Sequence, residues 1–169
     1  MIPLLAIVAW SGTGKTTLLK QLIPELKARG IRCGLIKHTH HQMDIDTPGK
    51  DSYELRKAGA DQVLVASQLR WALMTETPQQ PAPDLHYLAS RMDASMLDLI
   101  LVEGFKHEEV AKIVLHRVGT KQPLPLPLDR WTVAVAADAE ITLDVPVLDL
   151  NSIAMIADFI EAWIQTHRL

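Results

Sequence analysis

Leu4-Leu-Ala-Ile-Val-Ala-Trp-Ser-Gly-Thr-Gly-Lys-Thr-Thr17 decides the fold of this chain. An apolar run long enough for one buried strand leads into a glycine-rich turn, and Gly14-Lys15-Thr16 then opens a helix. That order builds a nest for a nucleoside triphosphate. Backbone N–H groups of the loop and of the helix N-terminus point at phosphate oxygens, Lys15 reaches the β- and γ-phosphates, and the Thr16 hydroxyl can ligate Mg²⁺. Ser11, Gly12, Thr13, Gly14, Lys15, Thr16 and Thr17 are the expected phosphate-binding residues. A Cβ at Gly12 or Gly14 would obstruct positive φ and close backbone approach. Ala9 stands where the usual pattern begins with glycine. A dinucleotide fingerprint is excluded, because Gly12-x-Gly14 is followed by Lys-Thr-Thr and no third glycine.

Size and composition agree with a nucleotide-binding globule. At 169 residues, one domain over 1–169 is expected, large enough to bury a core. Hydrophobic residues make up 48% of the chain, which argues against disorder. The net charge is −3 with acids and bases mixed, so no basic run points to nucleic acid. Cys33 is the single cysteine and cannot form an internal disulfide; a reducing cytoplasm is the expected setting. The apolar N-terminus lacks a basic leader and is too short to span a bilayer, so it reads as a strand, and no membrane association is expected.

Periodicity extends the pattern along the chain. The spacing predicts a helix over 16–29, with Leu18, Leu19, Leu22, Ile23 and Leu26 on one face and Gly30 as its stop. Pro24 inside it should kink the helix or leave one carbonyl free. Strands are expected over 32–38, 62–66, 71–75, 97–102, 112–117, 132–136 and 146–149, the second and third forming a hairpin through 67–70. Helices are expected over 52–58, around Leu85 to Met92 and over 152–167, the last with Asn151 as N-cap. Pro123, Pro125 and Pro127 alternate with leucines, so 119–130 reads as an extended loop or lid. The result is an α/β fold of the P-loop type: a mostly parallel sheet with helices on both faces and some antiparallel strands.

A phosphate loop needs a carboxylate partner for Mg²⁺, and in open α/β sheets such groups lie beyond the carboxyl ends of strands. Glu103 closes the most apolar strand and precedes Gly104, which makes it the leading candidate beside Lys15. Asp98 begins that strand and belongs to the opposite edge. Asp44 and Asp46 follow the second strand and offer a further acid. Asp138 lies just beyond the strand 132–136, where a carboxylate could accept from guanine N1–H and the exocyclic amine. Lys37-His-Thr-His-His41 reads as a rim of donors around an anion, with a transition-metal site as the other reading. The four tryptophans read as core or interface residues, and Trp10 as packing near the nucleotide. Either the hairpin 62–75 or the strand 112–117 is expected to leave an open edge for a second copy.

Trp10-Ser-Gly-Thr-Gly-Lys-Thr-Thr17, Lys37-His-Thr-His-His41, Asp44-Ile-Asp-Thr-Pro-Gly-Lys-Asp-Ser52, Arg56-Lys-Ala-Gly-Ala60 and Val102-Glu-Gly-Phe-Lys106 occur in that order. Together they resemble the molybdopterin-guanine dinucleotide biosynthesis adaptor B family (MobB) over nearly the whole chain. The resemblance implies GTP binding with slow Mg²⁺-dependent hydrolysis, a homodimer, and support for attaching GMP to molybdopterin. It implies two partners: the molybdopterin guanylyltransferase and the enzyme that delivers the molybdenum cofactor. It favours Glu103 and then Asp46 as metal-facing acids, joining Thr16. Relatives with a signature lysine five residues before the loop lysine would bridge an ATPase dimer through it; here that residue is Trp10. Two other functions share the loop. A small-molecule kinase or ligase would need an acceptor pocket and an arginine-rich lid, where 119–130 offers only Lys121 and Arg130. A metallochaperone GTPase would rest on His38, His40 and His41.

Overall fold

The structure is a computed structural model that describes residues 2–39, 44–79, 82–120, 123–124 and 127–167. It divides into two compact units, Met1–His38 with Asp84–Leu169, and Thr39–Pro83. His40, His41, Lys121 and Pro125 lie outside the described residues.

The larger unit is built on a six-stranded parallel sheet. Its strands are β1 (Leu4–Val8), β2 (Cys33–Lys37), β5 (Leu99–Glu103), β6 (Lys112–His116), β7 (Thr132–Ala137) and β8 (Val147–Asp149), in the order β2-β5-β1-β6-β7-β8. The helices of this unit are α1 (Lys15–Ala28), α3 (Leu85–Ser90) and α4 (Ile153–His167). Alternation along β1 divides its side chains between two cores. Leu5 and Ile7 pack with α1 and α4 on one face, while Ala6 packs with Leu85 of α3, Phe105 and Val110 on the other. Leu18, Leu19, Leu22 and Leu26 of α1 are buried at the helical spacing anticipated, each worth about 1.5–3 kcal/mol when fully buried. Pro24 sits inside α1 and removes one donor there, leaving the Lys20 carbonyl without that backbone partner.

Register places the site. Ile7 is level with Glu103 of β5 and with Ile113 of β6, and Lys37 of β2 is level with Glu103 on its other side. β6 starts level with the end of β5, since Lys112 and Val102 both pair with Ala6. The connection 104–111 therefore crosses β1 without running back along the sheet, and no crossover helix is needed. β6 lies between β1 and β7, so the expectation that 112–117 presents an open edge is corrected: both of its sides are already paired. The N-cap of α4 is also corrected. Met155 N–H donates to Ser152 Oγ at 3.3 Å, so Ser152, one residue after Asn151, caps the helix.

The smaller unit contains α2 (Asp51–Lys57) and an antiparallel pair, β3 (Gln62–Ala66) and β4 (Trp71–Thr75). The hairpin forms where expected, closed by Ser67 N–H on the Arg70 carbonyl at 2.8 Å. Arg56 of α2 pairs with Asp44 and, at 2.8 Å, with Glu76. Leu64, Leu69 and Trp71 of the hairpin are exposed.

Candidate nucleotide-binding site

The loop between β1 and α1 has the shape that the glycines permit. Gly12 and Gly14 lie at φ +83° and +93°, conformations that L side chains rarely adopt, and a Cβ on either would meet open space. Gly14 caps α1 with no side-chain acceptor, so the first N–H groups of the helix have no capping side chain. Those groups, together with the helix dipole, favour an anion over the loop. Ser11, Thr16 and Thr17 are exposed there, while Thr13 is buried.

Glu103 is the acid that the fold brings to this loop. The five residues of β5 are all buried, and Glu103 itself is 8% exposed. Its carboxylate stands 3.9 Å from Lys15 Nζ and 3.7 Å from Lys37 Nζ. Lys37 is the residue that sequence reasoning left among generic donors. Its signal was its place as the last residue of a strand, although only the β2–β5 register shows that it flanks Glu103. The Glu-Gly pair has a structural cause. Gly104 lies at φ +98°, and a Cβ there would sit 2.8 Å from the His38 carbonyl oxygen. That close approach lets His38 N–H donate to the Glu103 carbonyl at 2.8 Å and brings the His38 ring to 5.0 Å from Phe105.

The remaining site residues fall elsewhere. Asp138 follows β7, and its two oxygens are already engaged: Val118 N–H donates at 2.7 Å and Arg117 at 3.3 Å. Arg117 in turn lines a cleft of about 340 Å³ with Gly14, Thr17, Gln21 and Asn151. Asp46 belongs to the smaller unit. One of its oxygens accepts from Thr47 N–H at 2.9 Å and Ser52 Oγ at 3.1 Å, and the other is buried without a hydrogen-bond partner. Asp98, at the start of β5, holds Arg32 at 2.9 Å on the opposite edge of the sheet, as anticipated. The thiol of Cys33 is pushed up to about 11 by burial, which favours the protonated form over the thiolate. Among the tryptophans, Trp163 is core, Trp71 is exposed, and Trp10 is held beside the loop by Nε1–H on the Pro123 carbonyl at 3.1 Å.

Comparison with known proteins adds the family. The model for MobB, molybdopterin guanine dinucleotide synthesis protein B, matches residues 4–138, a span that begins at β1 and ends on Asp138. The chain belongs to the MobB family. It is 68% identical over 166 residues to a molybdopterin-guanine dinucleotide biosynthesis adapter protein of Escherichia coli (strain K12), covering 98% of this chain and 95% of that protein. A Haemophilus influenzae protein of the same name is 52% identical, with 96% and 90% covered. A crystal structure of molybdopterin-guanine biosynthesis protein B (mobB) matches at a TM-score of 0.76 and 27% identity, over 96% of this chain and 99% of that one. The P-loop α/β fold is thus the MobB fold.

Proposed function

We propose that this MobB-family chain is a GTP-binding adapter with slow Mg²⁺-dependent GTPase activity that supports attachment of GMP to molybdopterin. Its place in molybdopterin guanine dinucleotide biosynthesis follows from the family. The nucleotide assignment is carried by one observation: Lys15, at the uncapped start of α1, faces Glu103 at 3.9 Å across a loop opened by two positive-φ glycines. Lys15 and the amides of 11–17 hold the phosphates, and an ammonium–phosphate contact is worth about 1.5–3 kcal/mol. Thr16 and Glu103 fit a hard divalent cation, because both offer oxygen ligands. Bound Mg²⁺ would neutralise charge developing on the phosphates. Lys37 balances the Glu103 carboxylate from the other side when no cation is present.

The cleft lined by Gly14, Thr17 and Arg117 starts at the phosphate loop and is where ribose and base would lie. Guanine recognition falls to Asp138, which would exchange its Arg117 contact for N1–H and the exocyclic amine. The exposed apolar hairpin supports homodimerisation, since patches of this kind mark contact surfaces. The guanylyltransferase and the cofactor-delivery enzyme are the proposed partners, in the cytoplasm. No described helix is long and apolar enough to cross a membrane. Titrations with GTP and ATP, each with and without Mg²⁺, test the proposal. GTP preference and a loss of roughly 10- to 150-fold in Lys15→Ala are expected. Equal affinity of wild type and Lys15→Ala would refute it.

A further inference from the structure

A second cleft, about 460 Å³, opens on the other side of the phosphate loop. It begins at Ala9, Trp10 and Ser11, the first residues of the loop, and is floored by Val8 and Val114. These floor residues pack away from α1, with the cores of the opposite sheet face. The volume lies within the range of small-molecule sites.

Its walls are fixed by a buried charge. Lys112 Nζ is in a side chain only 3% exposed, and it donates to the Lys106 carbonyl at 3.3 Å, the Glu108 carbonyl at 3.0 Å and Asp129 at 2.8 Å. Three N–H donors thus have three acceptors, the condition under which a buried ammonium is tolerated. The other Asp129 oxygen accepts from Trp131 N–H at 3.0 Å and Thr132 Oγ1 at 3.1 Å. This knot ties the 104–111 connection and the segment around Asp129 to β6 through one buried side chain, Lys112, so that wall of the cleft is anchored on both segments. It also neutralises Asp129, the one acid among the described lining residues. Among the described lining residues the lysine left at the mouth is Lys106, whose ammonium lies 5.8 Å from the Trp10 ring centroid.

We propose that this cleft is a second ligand site, for an anionic bicyclic heteroaromatic bound beside the nucleotide. The apolar floor and the Trp10 indole take the ring system, and Lys106 takes its carboxylate or phosphate. Because Trp10 and Ser11 belong to the phosphate loop, the two ligands would adjoin each other, and their affinities would be coupled reciprocally. This inference rests on the proposed function and deepens it by adding a site from which the adapter would present the second reactant to its transferase partner.

Pterin-6-carboxylate is the probe, because it carries no phosphate for the loop to hold. Its fluorescence anisotropy should show saturable one-to-one binding to the full chain, retained when GTP is added and retained in Lys15→Ala. Trp10→Leu should weaken probe binding about tenfold, the scale of one lost stacking platform. Lys106→Gln should weaken it about fivefold and leave GTP affinity unchanged. Absence of saturable binding, or binding abolished by Lys15→Ala or displaced by GTP, overturns the second site. Failure of the nucleotide reading shows separately, as wild-type protein that does not bind GTP at all.

Discussion

Glu103→Gln keeps the shape of the side chain and removes its charge, which makes it the sharpest probe of the site. Two unit charges at about 4 Å interact by about 4 kcal/mol at an effective dielectric near 20. The Lys15–Glu103 separation is 3.9 Å, but the side chains are 22% and 11% exposed, so water screens part of this. About 1.5–3 kcal/mol, the usual range for charged hydrogen-bond partners, is the reasonable effect. The sign depends on the cation. Without Mg²⁺, the substitution frees the Lys15 ammonium and removes a negative charge from the phosphate nest, so GTP should bind more tightly, by about one to two decades. With Mg²⁺, a ligand is lost, so the enhancement that the cation gives should shrink by about one to two decades, and hydrolysis should fall more than binding. Calorimetric titration of GTP in EDTA and in Mg²⁺ reads both effects. An unchanged Mg²⁺ enhancement, or weaker binding in EDTA, would refute the assignment. If Asp46→Asn collapses the enhancement while Glu103→Gln is silent, Asp46 is the metal ligand.

Gly104→Ala should cost about 2–4 kcal/mol in chemical denaturation, because strain at φ +98° adds to a clash with the His38 carbonyl. Gly30→Ala, at φ +79° in open space, should cost only about 1–2 kcal/mol, and equal losses would contradict the close-approach argument. Asp138→Asn should turn base preference from GTP towards xanthosine triphosphate; a uniform loss for every base would mean that Asp138 acts only by positioning Arg117. Leu64→Lys together with Trp71→Glu should convert the proposed dimer to an 18.8 kDa monomer in sedimentation, and a dimer that survives both changes is not built on the hairpin. Burial pushes the Asp129 carboxyl up, but hydrogen bonds from Lys112 and Thr132 outweigh it and hold the group below its ordinary 3.8. The stability it contributes is therefore complete above that value and lost as pH falls below it. Asp129→Asn should flatten the fall of the thermal midpoint below about pH 4, and an unaltered slope there would remove Asp129 from the acid response.

Local patterns in the chain were enough for the element order, the turn before α1 and the place of Glu103 at the end of β5. Each rests on neighbours in sequence: apolar runs make strands, leucines at helical spacing make α1, and Gly12 and Gly14 shape a turn through their own φ angles. Asn151 was displaced as cap by Ser152, because capping depends on which hydroxyl reaches the N–H three residues on, a matter of one residue in chain path. The strand 112–117 read as a possible edge because strand order is not written in any one strand; pairing with β1 and β7 puts it in the interior. Lys37 became part of the site only through the parallel register of β2 and β5, which sets it beside Glu103 across 66 residues of chain. The need for glycine at Gly104 likewise comes from the backbone of His38, a neighbour in space alone. Lys112, an ordinary strand lysine in sequence, is buried because three acceptors from two separate segments converge on it. Sequence thus determined the shape of the loop and the side chains it carries, through short-range backbone and side-chain chemistry. Tertiary structure decided which distant charges surround it, because those contacts exist only once the sheet is assembled.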